Sequence, residues 1–319
     1  MDKEGIIVFG LSSADALTNE ICNFLKIERG KIKLSHFADG EIICEPEETV
    51  RGKHVFIICS TCYPVNDNLM EMLITIDACK RASAKEVTCV IPYFGYARQE
   101  RKSKPRQPIT ARLVADMIQV AGANRVVCID LHAIAIQGFF SIPSDNLSAV
   151  ALFGQYFRAK HLEGDIVAVS PDHGGATRAR QFAEYVNAPV AIVDKRRVRP
   201  NEAEALALIG DVDGKIAILV DDLIDTGGSL VGAAKMLEEK GAKEVYFCCT
   251  HGVLSQNAIE KIRQSNVKEV VLTNTIPLTE DKKDPKIKVL SIGYMIAKTI
   301  EAIYTYAPVS EIYAMFNEE

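Results

Sequence analysis

Two adjacent carboxylates followed by a glycine turn form the segment of the sequence best suited to bind a ligand. Asp221 and Asp222 follow the apolar run at residues 216–220, and a Thr-Gly-Gly-Ser turn lies at residues 226–229. Glycines let the backbone approach a phosphate, and the free N–H groups at a helix N-terminus favour an anion. Adjacent carboxylates repel phosphate but accept hydrogen bonds from vicinal hydroxyls. The segment favours a sugar phosphate as ligand over the alternative that the acids only form the turn and cap the helix.

Titratable groups also follow two other apolar runs. Asp172 comes after residues 166–169, and Asp130 and His132 come after residues 126–129. If the strands are neighbours, Asp172 would lie near the acidic pair, because carboxyl ends of parallel strands meet at one edge of a sheet. Carboxylates are good ligands for Mg²⁺, which usually keeps waters and is shared with substrate phosphates. A single histidine such as His132 is more often structural than functional, and both interpretations stay open.

Two basic segments stand out in an acidic chain. Residues 98–106 and 194–200 each follow an apolar run and contain proline, which is typical of a loop. A solvated surface patch is one interpretation, and a nucleic-acid contact is less favoured because no recognition module appears. We favour cationic loops over a phosphoryl-transfer site, since that chemistry requires stabilisation of charge on the transferring oxygens. No Walker lysine motif and no protein-kinase signature set is present, so a nucleotide would be held by a different scaffold.

The composition is that of a folded globular protein. Hydrophobic residues make up 48% and charged residues 25% of the 319 residues, and the formal net charge is -5. A chain with this charge has no general attraction for nucleic acid or an anionic membrane, so we expect neither as a partner. No signal-peptide core and no apolar run of about 18 residues is found. We therefore predict a cytoplasmic protein.

Nine cysteines could suggest a disulfide framework, but their number is odd. Most of them lie within apolar runs, where they are typical of small core residues in a reducing compartment. The close pairs Cys59/Cys62 and Cys248/Cys249 lack the second pair of ligands that a structural zinc site requires. We expect free thiols and no thiolate metal site.

Short apolar runs alternate with longer amphipathic segments along the chain. Continuous runs rich in valine and isoleucine are typical of strands buried on both faces. They are found at residues 6–9, 55–59, 87–91, 126–129, 166–169, 190–193, 216–220, 245–249 and 270–272. Helical periodicity is found at residues 67–82, 111–121, 175–185, 229–240 and 255–264. The β-α-β-α order predicts parallel sheets covered by helices.

A recurring phrase suggests that the chain consists of two related α/β halves. Ala84-Lys85-Glu86-Val87 and Ala242-Lys243-Glu244-Val245 each join a helical segment to an apolar run. No linker rich in proline, glycine or serine separates the halves. We place their boundary near residues 148–152, after the polar loop at residues 142–146.

A set of motifs extends this pattern along nearly the whole chain, from about residue 6 to residue 313. The motifs are Phe37-Ala38-Asp39-Gly40-Glu41, Asn66-Asp67, Lys80-Arg81-Ala82, Tyr96-Ala97-Arg98-Gln99, Asp130-Leu131-His132, Gln137-Gly138-Phe139-Phe140, Ser170-Pro171-Asp172-His173-Gly174-Gly175, Asp194-Lys195-Arg196-Arg197 and Val220-Asp221-Asp222-Leu223-Ile224-Asp225-Thr226-Gly227-Gly228-Ser229. In order and spacing, this set resembles the ribose-phosphate pyrophosphokinases, also called phosphoribosyl pyrophosphate synthetases.

The resemblance implies an α/β fold of two type I phosphoribosyltransferase-like domains, each a mostly parallel sheet flanked by helices. The first would span residues 1–149 with a returning C-terminal segment at 305–319, and the second would span residues 150–304. The implied activity is that of a transferase requiring Mg²⁺, which converts ATP and ribose 5-phosphate into AMP and 5-phosphoribosyl 1-diphosphate. In that family the anomeric hydroxyl attacks the β-phosphorus of ATP and AMP leaves.

The resemblance also implies roles for individual residues in binding the two substrates. The residues expected to bind ATP, with the first three reaching across a dimer interface, are Phe37, Asp39, Glu41, Arg98 and Gln99. The residues expected to bind ribose 5-phosphate are Asp221, Asp222, Asp225, Thr226, Gly227, Gly228 and Ser229. Ser229 replaces the usual threonine and keeps its hydroxyl, so we expect it to keep the function.

Three further sets follow from the same resemblance. Lys195 and Arg197 would stabilise the transferring diphosphate as catalytic residues, and the positions associated with Mg²⁺ are His132, Asp172 and Asp130. A regulatory anion site would comprise Arg51, Arg106 and Ser310. Near this site, Pro105 and Thr49 stand where many members of the family have serine. We expect a homo-oligomer built from dimers, with a hexamer as the assembly.

Two other functions share part of the pattern. A nucleotide-salvage phosphoribosyltransferase would share the acidic-pair loop, but it would not need the segments at residues 37–41 and 96–106 or two such domains. A non-catalytic regulatory partner would share the entire fold. The chain keeps the cations at residues 195 and 197 and the strand-end acids, and this favours the enzyme.

Overall fold

The computed structural model describes residues 4–196, 205–310 and 312, and the side chains of all of these except Lys195, Arg196, Ala205 and Leu206. The chain divides into two compact units between Ser148 and Ala149. The first unit also includes Thr275–Pro277 and the returning segment Ser291–Ala314. That segment begins earlier than residue 305, so residues 291–304, which we assigned to the second domain, lie in the first unit. Each unit is described by itself below.

The first unit is built on a parallel five-stranded sheet. Its strands are β1 (Ile6–Gly10), β4 (His54–Ile58), β5 (Glu86–Ile91), β6 (Arg125–Ile129) and β7 (Ser144–Leu147), which pair in that order. A separate antiparallel hairpin consists of β2 (Ile32–His36) and β3 (Ile42–Pro46). The helices of this unit are α1 (Asp15–Leu25), α2 (Val65–Arg81), α3 (Thr110–Ala121) and α8 (Gly293–Thr305). Short 3-10 helices occupy Ser12–Ala14, Ala97–Gln99 and Ile134–Phe139.

The second unit contains a seven-stranded sheet. Its strands are β8 (Ile166–Ser170), β9 (Val190–Arg196), β10 (Ala205–Ile209), β11 (Ile216–Ile224), β12 (Glu244–Gly252), β13 (Glu269–Thr273) and β14 (Ile287–Leu290). The strand order is β10-β9-β8-β11-β12-β13-β14, and only the β10–β9 pair is antiparallel among these strands. The helices are α4 (Val150–Ala159), α5 (Ala176–Val186), α6 (Gly228–Glu239) and α7 (Ala258–Gln264). A 3-10 helix lies at Glu280–Lys282.

The predicted apolar runs all coincide with strands of the two main sheets. Val55 and Ile57 on β4 are fully buried, as are Ala217 and Leu219 on β11. A parallel strand with helices on both faces has no solvent-facing side, so its sequence is apolar throughout. The hairpin β2–β3 was not predicted, because most of its residues are half-buried or exposed and its sequence lacks a continuous apolar run.

The ends of the helices follow local sequence signals. Gly122 ends α3 with a φ of +114°, and its N–H donates to the carbonyl oxygens of Ile118 and Gln119. Residues with a Cβ rarely adopt this left-handed conformation, so a glycine is favoured there. Within the described residues, no helix combines the length and the apolar character that are needed to cross a membrane.

The nine cysteines are all buried and free, as predicted. Burial raises the pKa of the Cys22 thiol to about 11 and that of the Cys79 thiol to about 12. A thiolate would lose its hydration in these places, so the thiols stay protonated and pack as core residues.

Candidate active site

The acidic pair lies on β11 near its carboxyl end. β11 continues beyond both acids, since Leu223 and Ile224 pair with His251 and Gly252 of β12. Asp222 is 6% exposed, and its N–H donates to the Asp221 Oδ1 atom over 2.8 Å. The pair is thus held on the central part of the second unit's sheet.

Arg178 of α5 provides the counter-charge to this pair. Its Nη1 atom lies 3.8 Å from Asp221 Oδ1 and 3.6 Å from Asp222 Oδ1. Both carboxyl groups therefore face the same guanidinium. Burial, followed by the charge of Asp222, raises the pKa of Asp221 well above its ordinary value, although Arg178 opposes the shift. Two close carboxylates opposed by one cation form a site that favours hydroxyl or ammonium donors.

The turn after β11 leads from a half-buried Thr226 and a buried Gly227 into a helix whose first two residues are exposed. Gly227 has a φ of +73° and precedes α6, whose first residues are Gly228 and Ser229. Gly228 and Ser229 are exposed, and Thr226 is half-buried. The N–H groups in the first turn of a helix have no intrahelical partner, so this turn can receive an anion. The acids and the glycine turn thus lie along one strand-loop-helix element, as predicted.

Two residues that hold this turn were not identified from the sequence. The Ser255 hydroxyl donates to the Asp225 carboxylate, and the Ser255 N–H donates to the Asp225 carbonyl oxygen over 3.0 Å. The Lys261 Nζ atom, on α7, donates to the Thr226 carbonyl oxygen over 2.9 Å. Both residues lie about thirty positions further along the chain, so no local pattern connected them with the turn.

Asp172 follows β8, which is a direct neighbour of β11 in the sheet. We expected Asp172 near the acidic pair if the two strands were neighbours, and this condition is met. Asp172 Oδ1 accepts a hydrogen bond of 2.9 Å from the Gly175 N–H, so the carboxylate also shapes its own loop. The next residue, His173, makes a 3.0 Å contact from Nε2 to Asp194 Oδ1 on β9.

Asp130 and His132 belong to the first unit and follow β6. Asp130 is 6% exposed and has a φ of +40°, and its N–H donates to the Leu147 carbonyl oxygen over 2.8 Å. His132 is exposed. In the part of the chain that the structure describes, no cluster of three or more His, Cys, Asp or Glu side chains could hold a metal by itself.

The residues predicted to bind ATP lie on two surface segments of the first unit. Phe37, Asp39 and Glu41 form the tip of the β2–β3 hairpin, where the Phe37 N–H donates to the Glu41 carbonyl oxygen over 2.8 Å. Phe37 is 54% exposed, which is unusual for a large aromatic side chain. Arg98 and Gln99 are exposed on a 3-10 helix, and Gln99 Oε1 accepts a hydrogen bond from the Thr110 hydroxyl over 2.6 Å.

The remaining predicted residues are described less completely. The backbone of Lys195 lies in β9 and pairs with Leu206 of β10, and Arg197 lies outside the described residues. Arg51 is exposed and its Nη1 atom donates to the Ser83 hydroxyl over 3.3 Å. Arg106 has a φ of +66°, and it is exposed, as is Ser310.

Two family models match the sequence. The N-terminal domain of ribose phosphate pyrophosphokinase matches residues 6–122, and the phosphoribosyl synthetase-associated domain matches residues 195–314. Together they cover more than half of the chain.

Curated relatives and a solved structure agree with these matches. The ribose-phosphate pyrophosphokinase of Bacillus caldolyticus is 54% identical over 96% of this chain and 97% of its own length. The protein of the same name from Bacillus subtilis is 51% identical over 96% of each chain. The crystal structure of phosphoribosylpyrophosphate synthetase from Mycobacterium smegmatis has a TM-score of 0.90 and 41% identity, covering 95% of this chain and 100% of that one. These matches confirm the predicted fold class, and the chain belongs to the ribose-phosphate pyrophosphokinase family.

Proposed function

We propose that this protein transfers the diphosphoryl group of ATP to the anomeric hydroxyl of ribose 5-phosphate, giving AMP and 5-phosphoribosyl 1-diphosphate for nucleotide biosynthesis. The observation that carries the proposal is the element from Asp221 to Ser229. It combines a half-buried Asp221 and a buried Asp222 with two exposed residues, Gly228 and Ser229, at the start of α6. A sugar phosphate has complementary chemistry, since its hydroxyls donate to carboxylates and its phosphate accepts from N–H groups.

The two ends of ribose 5-phosphate are assigned to different parts of this element. Asp221 and Asp222 accept hydrogen bonds from the ribose hydroxyls. The 5-phosphate binds the turn formed by Asp225, Thr226, Gly227, Gly228 and Ser229. Arg178 holds the carboxyl pair in place, since its guanidinium lies within 4 Å of both acids.

ATP is assigned to Phe37, Asp39, Glu41, Arg98 and Gln99. The exposed Phe37 ring offers a stacking surface for adenine, and the acids of the hairpin tip accept hydrogen bonds from its amino group. Lys195 and Arg197 stabilise the charge that spreads over the moving diphosphate as the bond to AMP breaks. A cation that acts only in the transition state changes kcat more than KM.

Mg²⁺ is the cofactor that fits the donors at the strand ends. Asp130 and Asp172 offer carboxylate oxygens, and His132 offers an imidazole nitrogen. Among the described residues, no three or more such side chains form a complete set of metal ligands. Mg²⁺ usually binds through one or two carboxylates together with waters and substrate phosphates. When bound, the ion neutralises charge on the phosphates of ATP.

The proposal extends to assembly, control and location. A homo-oligomer built from dimers, a hexamer, would bring the hairpin tip of one subunit to the active site of its partner. Arg51, Arg106 and Ser310 carry charge or a hydroxyl suited to an inorganic phosphate or a diphosphate, so they are assigned to a regulatory anion site. The cytoplasm is the proposed location, where ATP and Mg²⁺ are available.

The experiment is chromatographic detection of AMP and 5-phosphoribosyl 1-diphosphate formed from ATP. We expect both products only when ribose 5-phosphate and Mg²⁺ are present. Lys195→Ala, assayed at saturating substrates, should lower kcat by about a hundredfold or more. Absence of AMP in the complete mixture contradicts the proposal. Release of diphosphate from 5-phosphoribosyl 1-diphosphate with a free purine would instead favour a salvage phosphoribosyltransferase.

A further inference from the structure

Lys261 contacts the 225–229 loop from a separate element of the second unit. Its half-buried side chain extends from α7, and its Nζ atom donates to the Thr226 carbonyl oxygen over 2.9 Å. α7 also packs directly against the turn, because a Cβ at Gly227 would lie 3.5 Å from the Cα atom of Ala258. The ammonium group of Lys261 therefore holds the loop on the side that faces α7.

The direction of the Thr226 carbonyl determines the direction of a neighbouring N–H group. The carbonyl of Thr226 and the N–H of Gly227 belong to one planar trans peptide unit, in which the two bonds point in opposite directions. Lys261 holds the carbonyl oxygen toward α7. The Gly227 N–H must then point away from α7, where it can join the free N–H groups of the first turn of α6.

This peptide unit needs an anchor because a glycine follows it. Gly227 has a φ of +73°, and a glycine can adopt other backbone conformations at little cost. A rotated Thr226–Gly227 peptide would present its carbonyl oxygen, instead of an N–H, to the anion. A charge-assisted hydrogen bond from an ammonium group is about twice as strong as a neutral one, so it suits this task.

The segment that leads into α7 holds the preceding residues in a similar way. The N–H groups of Val253 and Leu254 donate to the Ile224 carbonyl oxygen over 3.0 and 3.1 Å, and Ser255 makes its two bonds to Asp225. Leu254 has a φ of +49°, an uncommon conformation for a leucine that tends to occur near functional sites. Residues 253–261 thus form hydrogen bonds with three consecutive residues, 224–226.

We propose that Lys261 is a positioning residue for ribose 5-phosphate, a role that rests on the proposed function. It fixes the orientation of the Thr226–Gly227 peptide so that the Gly227 N–H faces the 5-phosphate. It touches neither substrate itself.

The test compares the steady-state kinetics of Lys261→Met and Lys261→Arg with those of the wild type. For Lys261→Met we expect the KM for ribose 5-phosphate to rise about tenfold, while the KM for ATP stays within about twofold. Lys261→Arg keeps a charged donor and should restore the KM for ribose 5-phosphate to within about threefold of the wild type. A merely structural role would change both KM values or neither.

Lys286 provides a matched control in the same unit. It is also half-buried, and its Nζ atom donates to the carbonyl oxygens of Ile262 and Arg263 at the opposite end of α7. Lys286→Met and Lys261→Met should both lower the Tm, because each removes a hydrogen bond to a backbone carbonyl. Lys286→Met should nevertheless leave the KM for ribose 5-phosphate within about twofold of the wild type. An equal rise of this KM in both variants overturns the proposal, and so does an unchanged KM in Lys261→Met.

Calorimetric titration with ribose 5-phosphate separates this proposal from the proposed function. If the wild type forms no AMP, the proposed function fails, and the calorimetric Kd values then decide about Lys261. About tenfold weaker binding to Lys261→Met supports its positioning role, and equal binding overturns it. Ser255→Ala removes the adjacent anchor and gives a second measurement, with an expected rise in KM of about threefold.

Discussion

The loop after β4 in the first unit and the loop after β11 in the second follow the same plan but end in different states. Each connects a buried parallel strand to a helix, α2 in one case and α6 in the other. The loop after β4 carries Ser60 and Thr61, which are 1% and 2% exposed. The loop after β11 leads into Gly228 and Ser229, the first residues of α6, which are exposed.

At the buried start of the loop after β4, Thr61 and Cys62 make hydrogen bonds within the first unit. The Thr61 hydroxyl donates to the Tyr93 carbonyl oxygen over 3.0 Å and accepts from the Gly95 N–H over 2.6 Å. Asn68, on α2, donates to the Cys62 carbonyl oxygen over 2.9 Å. Buried groups that use their hydrogen-bonding capacity internally have little left for a ligand.

The segment from the end of β11 to the start of α6 is more open. The acids of β11 face Arg178 at 3.6 and 3.8 Å, and Gly228 and Ser229 are exposed. The same strand-loop-helix plan can thus be closed by internal hydrogen bonds or left open to solvent, as our proposed binding site requires. The side chains that fill or leave open the loop decide between the two.

The largest effect on this comparison is expected from Asp221→Asn. Asparagine keeps the oxygen that accepts from the Asp222 N–H, but it replaces the second carboxyl oxygen, which can accept from a ribose hydroxyl, with an NH2 group that can only donate. We expect the Kd for ribose 5-phosphate to rise by about a hundredfold, with the affinity for ATP within about twofold. Calorimetry with each substrate measures both values. An equal loss of the two affinities would contradict the assignment of the acids to the sugar.

Thr61→Val tests the other side of the comparison. The substitution leaves the Gly95 N–H and the Tyr93 carbonyl without the hydroxyl that joins them, at a cost of about 1–3 kcal/mol in the free energy of unfolding. The KM for ribose 5-phosphate should not change. Thr75→Val is the matched control, because the buried Thr75 hydroxyl donates to the Glu71 carbonyl one helical turn earlier, and its loss leaves no backbone N–H of α2 without a partner. Urea denaturation should show the smaller loss for Thr75→Val, and a changed KM in Thr61→Val would refute a purely structural loop.

The acidic pair should also reduce stability at neutral pH. In the folded chain the pKa of Asp221 is raised from its ordinary value of 3.8 to about 8. Between these two pH values the folded chain holds a proton that the unfolded chain has released. Stability therefore falls as the pH rises through this window. The Tm of Asp221→Asn should exceed that of the wild type, by more at about pH 8 than at about pH 4.

Asp211 supplies the control for the sign of this effect. Its hydrogen bond from Lys215 lowers the pKa of the Asp211 carboxyl, so its charged form is favoured in the folded chain. Asp211→Asn should not raise the Tm at neutral pH. A Tm difference for Asp221→Asn that is independent of pH would mean that the stabilisation has another origin.

Ser229→Ala gives the smallest expected effect. It removes one exposed hydroxyl from a turn that still offers its backbone N–H groups. The KM for ribose 5-phosphate should rise about threefold, and Ser229→Thr should stay within about twofold of the wild type. A rise as large as that of Asp221→Asn would shift the main phosphate contact from the backbone to this side chain.

Local sequence determined the strands, many of the helices and the chemistry of the acidic turn. A strand buried on both faces must be apolar whichever strand lies beside it. Strands such as the one at residues 216–220 can therefore be predicted without the tertiary structure. The turn at Gly227 can also be predicted locally, because glycine is the residue type that readily adopts a positive φ. The order of motifs along the chain was sufficient to predict the family.

Tertiary structure alone decided which side chains support the acidic turn. Arg178, Ser255 and Lys261 reach it from α5, from the segment after β12 and from α7, and their distance along the chain leaves no local pattern to detect. The contrast between Thr61 and Ser229 was equally hidden, since both are hydroxyl residues after an apolar run, and only packing makes one buried and the other exposed. Sequence specifies a group's chemistry, whereas its hydrogen-bond partners and exposure depend on which distant elements pack around it.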